Sequence, residues 1–378
     1  MTRRADSNSR TRRGSASSRA PAGDIVAVRG LERGGMKRLT SQNKTIDDVA
    51  LKAGVSIKTV SRVLNREPNV RQSTRDKVFA IARSMGYAPN ISARRLAARR
   101  SFIVALLYRD DDVNHYIPDI QHGALDTCRE RGYNLLLHPC QGDMDDAALE
   151  IQQLSRQALL DGFIVTPPLA DSRKLVTAMA SLKLPFVRVS QLFRGQFSPS
   201  VSVGDRLGAY RMTEYLAGLN HRHVAFIVGN ENQGASVDRL GGYRDAVKEF
   251  SLTDNPDWVR QGDFTFESGS RCMTELLALK KRPTAVFASN DDMAAGALLV
   301  AHREGLEVPA DVSIVGFDDI AMSQRLWPPL TTVRQPTKKA AAIATTMLLD
   351  SLRTGDRSPE NREVATELVI RESAGRPR

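Results

Sequence analysis

The sequence predicts an α/β protein: an N-terminal all-α helix-turn-helix domain followed by two doubly wound parallel-sheet subdomains. Three observations carry that prediction. The excess positive charge is confined to the first quarter of the chain. Apolar residues recur at helical spacing between 45 and 86. From Phe102 onward, short continuous apolar runs alternate with amphipathic segments.

The charge pattern bears on partners. The chain has 378 residues, with 54 Lys and Arg against 43 Asp and Glu. Residues 1–44 hold 11 basic and 3 acidic side chains, and residues 45–101 hold 12 and 4. The remaining 277 residues carry a net charge of −5. A basic head on a mildly acidic body fits a polyanion-binding module, with nucleic acid the default polyanion; a solvated basic tail is the alternative. No run approaches the ~18–20 apolar residues needed to span a bilayer. Cys128, Cys140 and Cys272 are odd in number and widely spaced. That argues against a disulfide framework and a Cys-based zinc site, and for a reducing compartment.

Residues 1–44 are rich in Arg, Ser, Gly and Ala and are expected to form a disordered basic tail. Their composition also matches an organellar transit peptide, and a true start at Met36 is a third reading. Residues 45–88 predict three short helices. Thr45 caps the first, with Asp48 as the capping-box carboxylate and Ile46, Val49 and Ala50 on the inner face. Gly54 ends it. Ser56 caps the second, which turns Val60, Val63 and Leu64 inward. Ser73 caps the third, with Asp76 at N3, an apolar stripe of Val78, Ile81, Ala82 and Met85, and Gly86 as the stop. Residues 89–101 form a linker. Strand-like runs at 102–107, 133–137, 162–165, 185–189, 223–228, 284–287 and 312–315 alternate with helical segments, including 117–131, 147–160 and 172–182, and predict buried parallel sheets. A break near 200–205 divides residues 102–373 into two subdomains, about 102–202 with 336–363 and 203–335 with 364–373. A cleft is expected between them, and 366–371 is expected to be a late edge strand.

The turn Ala53-Gly54-Val55-Ser56 joins two helices in a helix-turn-helix: Ala53 lets them approach, Gly54 turns the chain and Ser56 restarts it. In that geometry the second helix lies in the major groove, its N-terminal residues against base edges. Ile57, Lys58, Ser61 and Arg62 fall on its outward face. Lys58 and Arg62 can donate to guanine O6 and N7, and Ile57 can pack on a thymine methyl. A plain helical hairpin with solvated charges is the competing reading.

The run from Thr45 to Asn65, TIDDVALKAGVSIKTVSRVLN, resembles the DNA-reading signature of the lactose-repressor/galactose-repressor (LacI/GalR) transcription regulators. The likeness continues through Gly86 to Asn90, Asn220 to Ile227, Ser289 to Gly296, Pro309 to Asp319, Pro328 to Gln335 and Leu368 to Ser373. It covers about residues 45–373. Asn220 departs from the family's usual Gly, at a turn where Asn tolerates the left-handed conformation.

The resemblance implies a homodimeric regulator, in most members a repressor, bound to double-stranded operator DNA and controlled by a small-molecule effector, most often a sugar. It adds Thr45, Ser56, Thr59 and Asn65 to the DNA contacts. It also implies a hinge helix over 90–97 that folds only on DNA, because eight residues are too few for a stable isolated helix. There Asn90 would be a further DNA contact, Ala93 would face the minor groove, Leu96 would wedge between central base pairs, and Arg94 and Arg95, with Arg99 and Arg100, would neutralise phosphates. A basic interdomain linker is the alternative. The body resembles periplasmic sugar-binding proteins. By that likeness Arg239, Asn290 and Asp318 would bind polar groups of the effector, Phe264 would be an apolar platform and Gln335 a further contact. Tyr108 and Tyr116, with His115, would form the opposite wall. Asp318 capping a turn and Phe264 in the core remain open.

No cofactor, metal or enzymatic activity is expected: the chain lacks a Gly-x-Gly-x-x-Gly after a strand, a P-loop, a His-Glu-x-x-His and a Gly-x-Ser-x-Gly elbow. The acidic clusters Asp110 to Asp112 and Asp143, Asp145 and Asp146 read as solvated loop charge. A solute-binding protein without a DNA role is the alternative function, opposed by the helix-turn-helix and by the absence of an apolar secretory segment. The expected location is the bacterial cytoplasm, at the nucleoid. The stretch after Ser373 is too short for a tetramerising coiled coil.

Overall fold

The head is three helices, each started by local chemistry and closed by an apolar stripe. Helix α1 (Ile46–Ala53) begins at Thr45, whose hydroxyl accepts from the Asp48 N–H while the Asp48 carboxylate accepts from the Thr45 N–H at 2.8 Å. This reciprocal pair satisfies two N-terminal donors. Gly54 ends the helix at φ +65, a conformation that costs glycine nothing. Helix α2 (Ile57–Leu64) starts at Ser56, whose hydroxyl accepts from the Thr59 N–H at 3.1 Å. Helix α3 (Gln72–Ser84) corrects the sequence reading: its N-cap is Arg71, with no side-chain cap, and Ser73 lies inside the first turn. Asn69, at φ +72, reverses the chain early, and Gln72 Nε2 donates to the Asp76 carboxylate at 2.9 Å. Val49, Ala50, Ala53, Val60, Val63, Val78 and Ala82 bury together as one small core.

The computed structural model describes residues 44–64, 69–87, 100–109, 117–142, 144–157, 160–190 and 198–378. Five strands open the first sheet: β1 (Ile103–Arg109), β2 (Asn134–Cys140), β3 (Gly162–Val165), β4 (Phe186–Val189) and β5 (Ser200–Val203). Between them run α4 (Ile117–Arg131), α5 (Met144–Gln157) and α6 (Arg173–Ser181). Successive residues of β1 serve opposite faces, as the pleat requires. Val104 and Leu106 pack with Ile120 and Ala124, whereas Ala105 and Leu107 pack with Ile151 and Leu175.

The second sheet is built from β6 (Val224–Val228), β7 (Val259–Gln261), β8 (Ala285–Ala288) and β9 (Ser313–Val315), in the order β7-β6-β8-β9. Its helices are α7 (Asp205–Gly218), α8 (Gly234–Glu249), α9 (Phe266–Leu277) and α10 (Asp291–Arg303). Helices α9 and α10 interlock through glycine: a Cβ on Gly296 would lie 2.1 Å from the Phe266 carbonyl oxygen. Asn220, after α7, adopts φ +73, the left-handed turn expected of it.

The chain then passes through β10 (Thr332–Arg334), returns to the first sheet with α11 (Thr337–Thr354) and β11 (Asn361–Val364), and ends in β12 (Glu367–Val369). The first sheet is thereby all parallel, in the order β11-β5-β4-β3-β1-β2. The late strand is not an edge of a main sheet. It pairs antiparallel with β10 as a two-stranded ribbon, while β11, which apolar patterning missed because its first three residues are exposed and polar, takes the edge beside β5.

Among the described residues, no helix is long and apolar enough to cross a membrane. The three cysteines are buried free thiols. Burial pushes Cys128 and Cys140 up to about 12 and Cys272 to about 11, which keeps them protonated.

Candidate functional site

Two surfaces carry the residues singled out from the sequence. On the head, Val60 and Val63 anchor α2, so the opposite face points outward: Ser56, Ile57, Lys58 and Arg62 are exposed, and Thr59 and Ser61 half-buried. Ile57 is a large apolar side chain left 49% exposed beside two cations, a composition suited to a base edge carrying a methyl group. The hydroxyls of Ser56 and Thr59 lie 2.9 Å apart. Thr45 is exposed, its side chain engaged in the capping box. Asn65, Asn90, Ala93, Arg94, Arg95 and Leu96 lie outside the described residues, as does Arg99. Arg100 donates to the Leu352 carbonyl at the end of α11.

In the body, the polar residues gather beyond the carboxyl ends of the strands, where parallel sheets place their ligands. Arg239, on α8, is buried at their centre. Its Nε donates to Asp205 Oδ1 at 2.8 Å, and its Nη1 lies 3.3 Å from Asp318 Oδ1 and also donates to the Ser289 carbonyl. The guanidinium carbon stands 3.8 Å from the ring centre of Phe317 and 5.8 Å from that of Phe264. Asp318 accepts a hydrogen bond from Gln335 Nε2. Asn290 caps α10 by accepting from the Met293 N–H at 2.9 Å, and its amide donates to the Phe264 carbonyl at 2.9 Å. Arg239, Phe264, Asn290, Asp318 and Gln335 thus form one connected network. Tyr108 packs half-buried against the first-subdomain core, and Tyr116 and His115 lie outside the described residues.

The backbone is strained here. Phe264, Asp318 and Asp319 have φ of +75, +113 and +58. Non-glycine residues in such regions cost on the order of 1–3 kcal/mol each and persist where the surroundings hold them. Gly229 makes room for one of them: a Cβ there would lie 2.0 Å from the Phe264 ring.

Electrostatics separates the carboxylates. Burial pushes Asp318 up to about 6, against the opposing pull of Arg239 and Gln335. Burial and the nearby Asp318 drive Asp291 well above the ordinary range, although it accepts from Thr332 Oγ1 at 2.5 Å and from the Ile320 N–H at 2.9 Å. Burial also raises Asp319, but Arg371 and Arg334, at 2.5 and 2.7 Å, outweigh it and hold that carboxyl below its usual value.

Four residues escaped the sequence reading. Asp205 and Asp291 are acids fully enclosed in α/β packing, and nothing in their spacing distinguishes them from helix-start acids. Asp171 accepts from the Gly234 N–H at 3.0 Å, tying the 3-10 turn Leu169–Asp171 of the first subdomain to the start of α8 in the second. Arg188 is buried on β4, its Nε 3.2 Å from Ser198 Oγ. Burial lowers its pKa and the Asp171 charge opposes that. A cavity of 610 Å³, lined by Asp205, Arg206, Tyr210, Asp238 and Glu363 among others, adjoins the network at Asp205 but holds none of the predicted effector residues.

Residues 45–90 match the family model for bacterial regulatory proteins of the lacI family, and residues 213–374 match that for a periplasmic binding protein-like domain. The HTH-type transcriptional repressor PurR of Aliivibrio fischeri is 31% identical over 331 residues, which are 87% of this chain and 98% of the relative. The chain belongs to the LacI family. Among solved structures, the CelR–cellobiose complex aligns with TM-score 0.68 at 29% identity, covering 87% of this chain and 99% of that one. The lac repressor dimer bound to operator and the anti-inducer ONPF aligns with TM-score 0.69 at 27% identity, covering 88% and 99%. This LacI-family chain is therefore a DNA-binding transcriptional regulator with an effector-binding body, and its relatives are repressors rather than enzymes. A solute-binding protein without a DNA role is not favoured, because the DNA-binding family model matches the head.

Proposed function

We propose that this regulator binds a pseudo-palindromic operator as a homodimer and that a sugar held at Asp318 sets its affinity for DNA. Helix α2 lies in the major groove. Lys58 and Arg62 donate to guanine edges, Ile57 meets a thymine methyl, and Thr45, Ser56, Thr59, Ser61 and Asn65 fix the register. The segment 89–101 is the hinge between the head at 45–88 and the body at 102–373. In it Asn90, Ala93 and Leu96 enter the minor groove and Arg94 and Arg95 neutralise phosphates. Acting on operator DNA, it would work in the bacterial cytoplasm, at the nucleoid. The dimer is supported by the lac repressor relative, solved as a dimer.

The observation that carries the effector reading is the difference in exposure within one ion pair. Arg239 is 4% exposed and Asp318 18%. The guanidinium is therefore the support and the carboxylate the contact: it can accept two sugar hydroxyls, while the Phe264 ring receives the apolar face and Asn290 and Gln335 fix orientation. Tyr108 and Tyr116 close the site from the first subdomain. The Asp171–Gly234 bond joins the two subdomains at 3.0 Å, so an effector that prefers one arrangement shifts the equilibrium by its differential affinity. A thermal-shift screen of sugars, with purines alongside, tests this. A true effector at a hundredfold excess over its Kd adds about 2.7 kcal/mol of stability, and Asp318→Asn abolishes that shift. A sugar that stabilises wild type and Asp318→Asn equally contradicts the assignment.

A further inference from the structure

We propose that His138, Cys140 and Glu150 form a site for a thiophilic divalent cation of the Zn²⁺ class, apart from the effector network. His138 and Cys140 are two residues apart on β2, so the pleat sends both side chains to the same face, the one covered by α5. Helix α5 brings Glu150 to them. His138 Nε2 lies 2.9 Å from Glu150 Oε1, and the other carboxylate oxygen faces the Gln141 N–H at 3.4 Å. One ligand atom from each of the three residues falls within a span of 4.8 Å.

The donor set decides the class of cation. One imidazole nitrogen, one sulfur and one carboxylate oxygen suit Zn²⁺, whereas Mg²⁺ and Ca²⁺ take oxygen ligands alone. Ligand atoms around tetrahedral zinc stand roughly 3.3–3.8 Å apart, given bonds of about 2.0–2.3 Å. Closing the present span takes about 1 Å, within reach of the flexible Glu150 side chain. Its frame is rigid: β2 is registered on β1, with His138 opposite Leu107 and Cys140 opposite Arg109. His138 and Glu150 are 20% and 34% exposed, so the site lies near the surface; His138 Nε2 and the Cys140 sulfur are themselves buried, and a cation enters past the flexible Glu150 side chain. Arg109 directs its guanidinium to the Gly142 carbonyl at the rim. A His–Glu contact alone has no need of a buried thiol within 4.8 Å of it. Cysteine spacing excludes a Cys-only zinc site, but this mixed set is assembled by the fold.

Binding breaks the Cys140 S–H bond, releases that proton to solvent and forms the sulfur–metal bond. His138 ligates through Nε2 as the neutral ring with its remaining hydrogen on Nδ1, any second ring proton leaving to solvent with that of the thiol; its contact with Glu150 is exchanged for bonds to the cation, water fills the fourth position, and no electron is transferred.

The test uses the EDTA-treated full chain titrated with Co²⁺ and then Zn²⁺. One equivalent of Co²⁺ should bind with a sulfur-to-cobalt charge-transfer band that Zn²⁺ bleaches. H138Q and E150Q should each weaken Zn²⁺ binding by about tenfold or more. C140S should remove the band, and C272S should keep it. Cobalt binding without the band overturns the site, as does no binding, or a Zn²⁺ affinity unchanged in both H138Q and E150Q; these two half-exposed variants decide the matter even if C140S fails to fold.

Discussion

The same residue type does opposite work in the two halves of this molecule. Arg62 stands exposed on α2, on the face proposed to meet DNA, whereas Arg239 is buried between Asp205 and Asp318, its Nε and Nη1 hydrogens engaged by the protein. An exposed cation's interactions are screened by water and salt. The buried one is needed merely to make its surroundings tolerable, because removing one member of a buried pair leaves an uncompensated charge. On the proposed reading, surface cations serve recognition and the enclosed cation serves shape.

That contrast predicts a difference in salt response before any mutation is made. A site with 6–10 phosphate contacts loses roughly 10³–10⁵ in affinity between 50 and 200 mM salt. DNA binding measured by anisotropy over that range should fall steeply, while effector binding measured by calorimetry should scarcely move. Equal slopes would mean that the cleft pair is as solvated as the head.

Next in size is Arg239→Ala. Leaving Asp205 and Asp318 unpaired should cost about 3–5 kcal/mol in urea unfolding. Lys58→Ala and Arg62→Ala should leave the unfolding midpoint unchanged. Each should instead lose about 1–3 kcal/mol of discrimination at a single operator base pair, read by titrating single-substitution duplexes.

The smallest expected effect comes from pH. Burial raises Asp318 from its ordinary 3.8 to about 6. The native state thus takes up this proton before the unfolded chain does, so the group's contribution to stability falls as pH rises from 3.8 to about 6 and is level above that. Accepting effector hydroxyls favours the ionised form. Effector affinity should therefore drop about tenfold at pH 5 relative to its plateau. A pH-independent affinity in the wild type would show that Asp318 does not contact the ligand.

How much could be read before the fold was known follows from where the physics is local. The starts of α1 and α2 are set by Thr45, Asp48 and Ser56 acting on their own backbone neighbours, and both starts were foreseen. Asn220 was likewise assigned to its left-handed turn, because that choice depends on one residue's φ. Ser73 was misjudged because a competing local turn at Asn69 started α3 earlier. Of the candidate effector residues, those of the second sheet lie in short motifs at strand ends, which is why the sequence alone points to them. It does not point to Asp205 and Asp171, since their partners, Arg239 and Gly234, lie 34 and 63 positions away. Strand β11 escaped for the same reason: its pairing with β5 spans 161 positions, and its own residues are mostly polar.

The central claim is that the face of α2 bearing Ile57, Lys58 and Arg62 distinguishes base pairs. The direct measurement is a fluorescence-anisotropy titration of the full chain against duplex from its own upstream region and a scrambled duplex of equal length, at matched salt, with and without effector. The account predicts that the native duplex binds at least about 10³-fold tighter, and that Arg62→Ala erodes that preference. Equal affinity for both duplexes under every condition would contradict it.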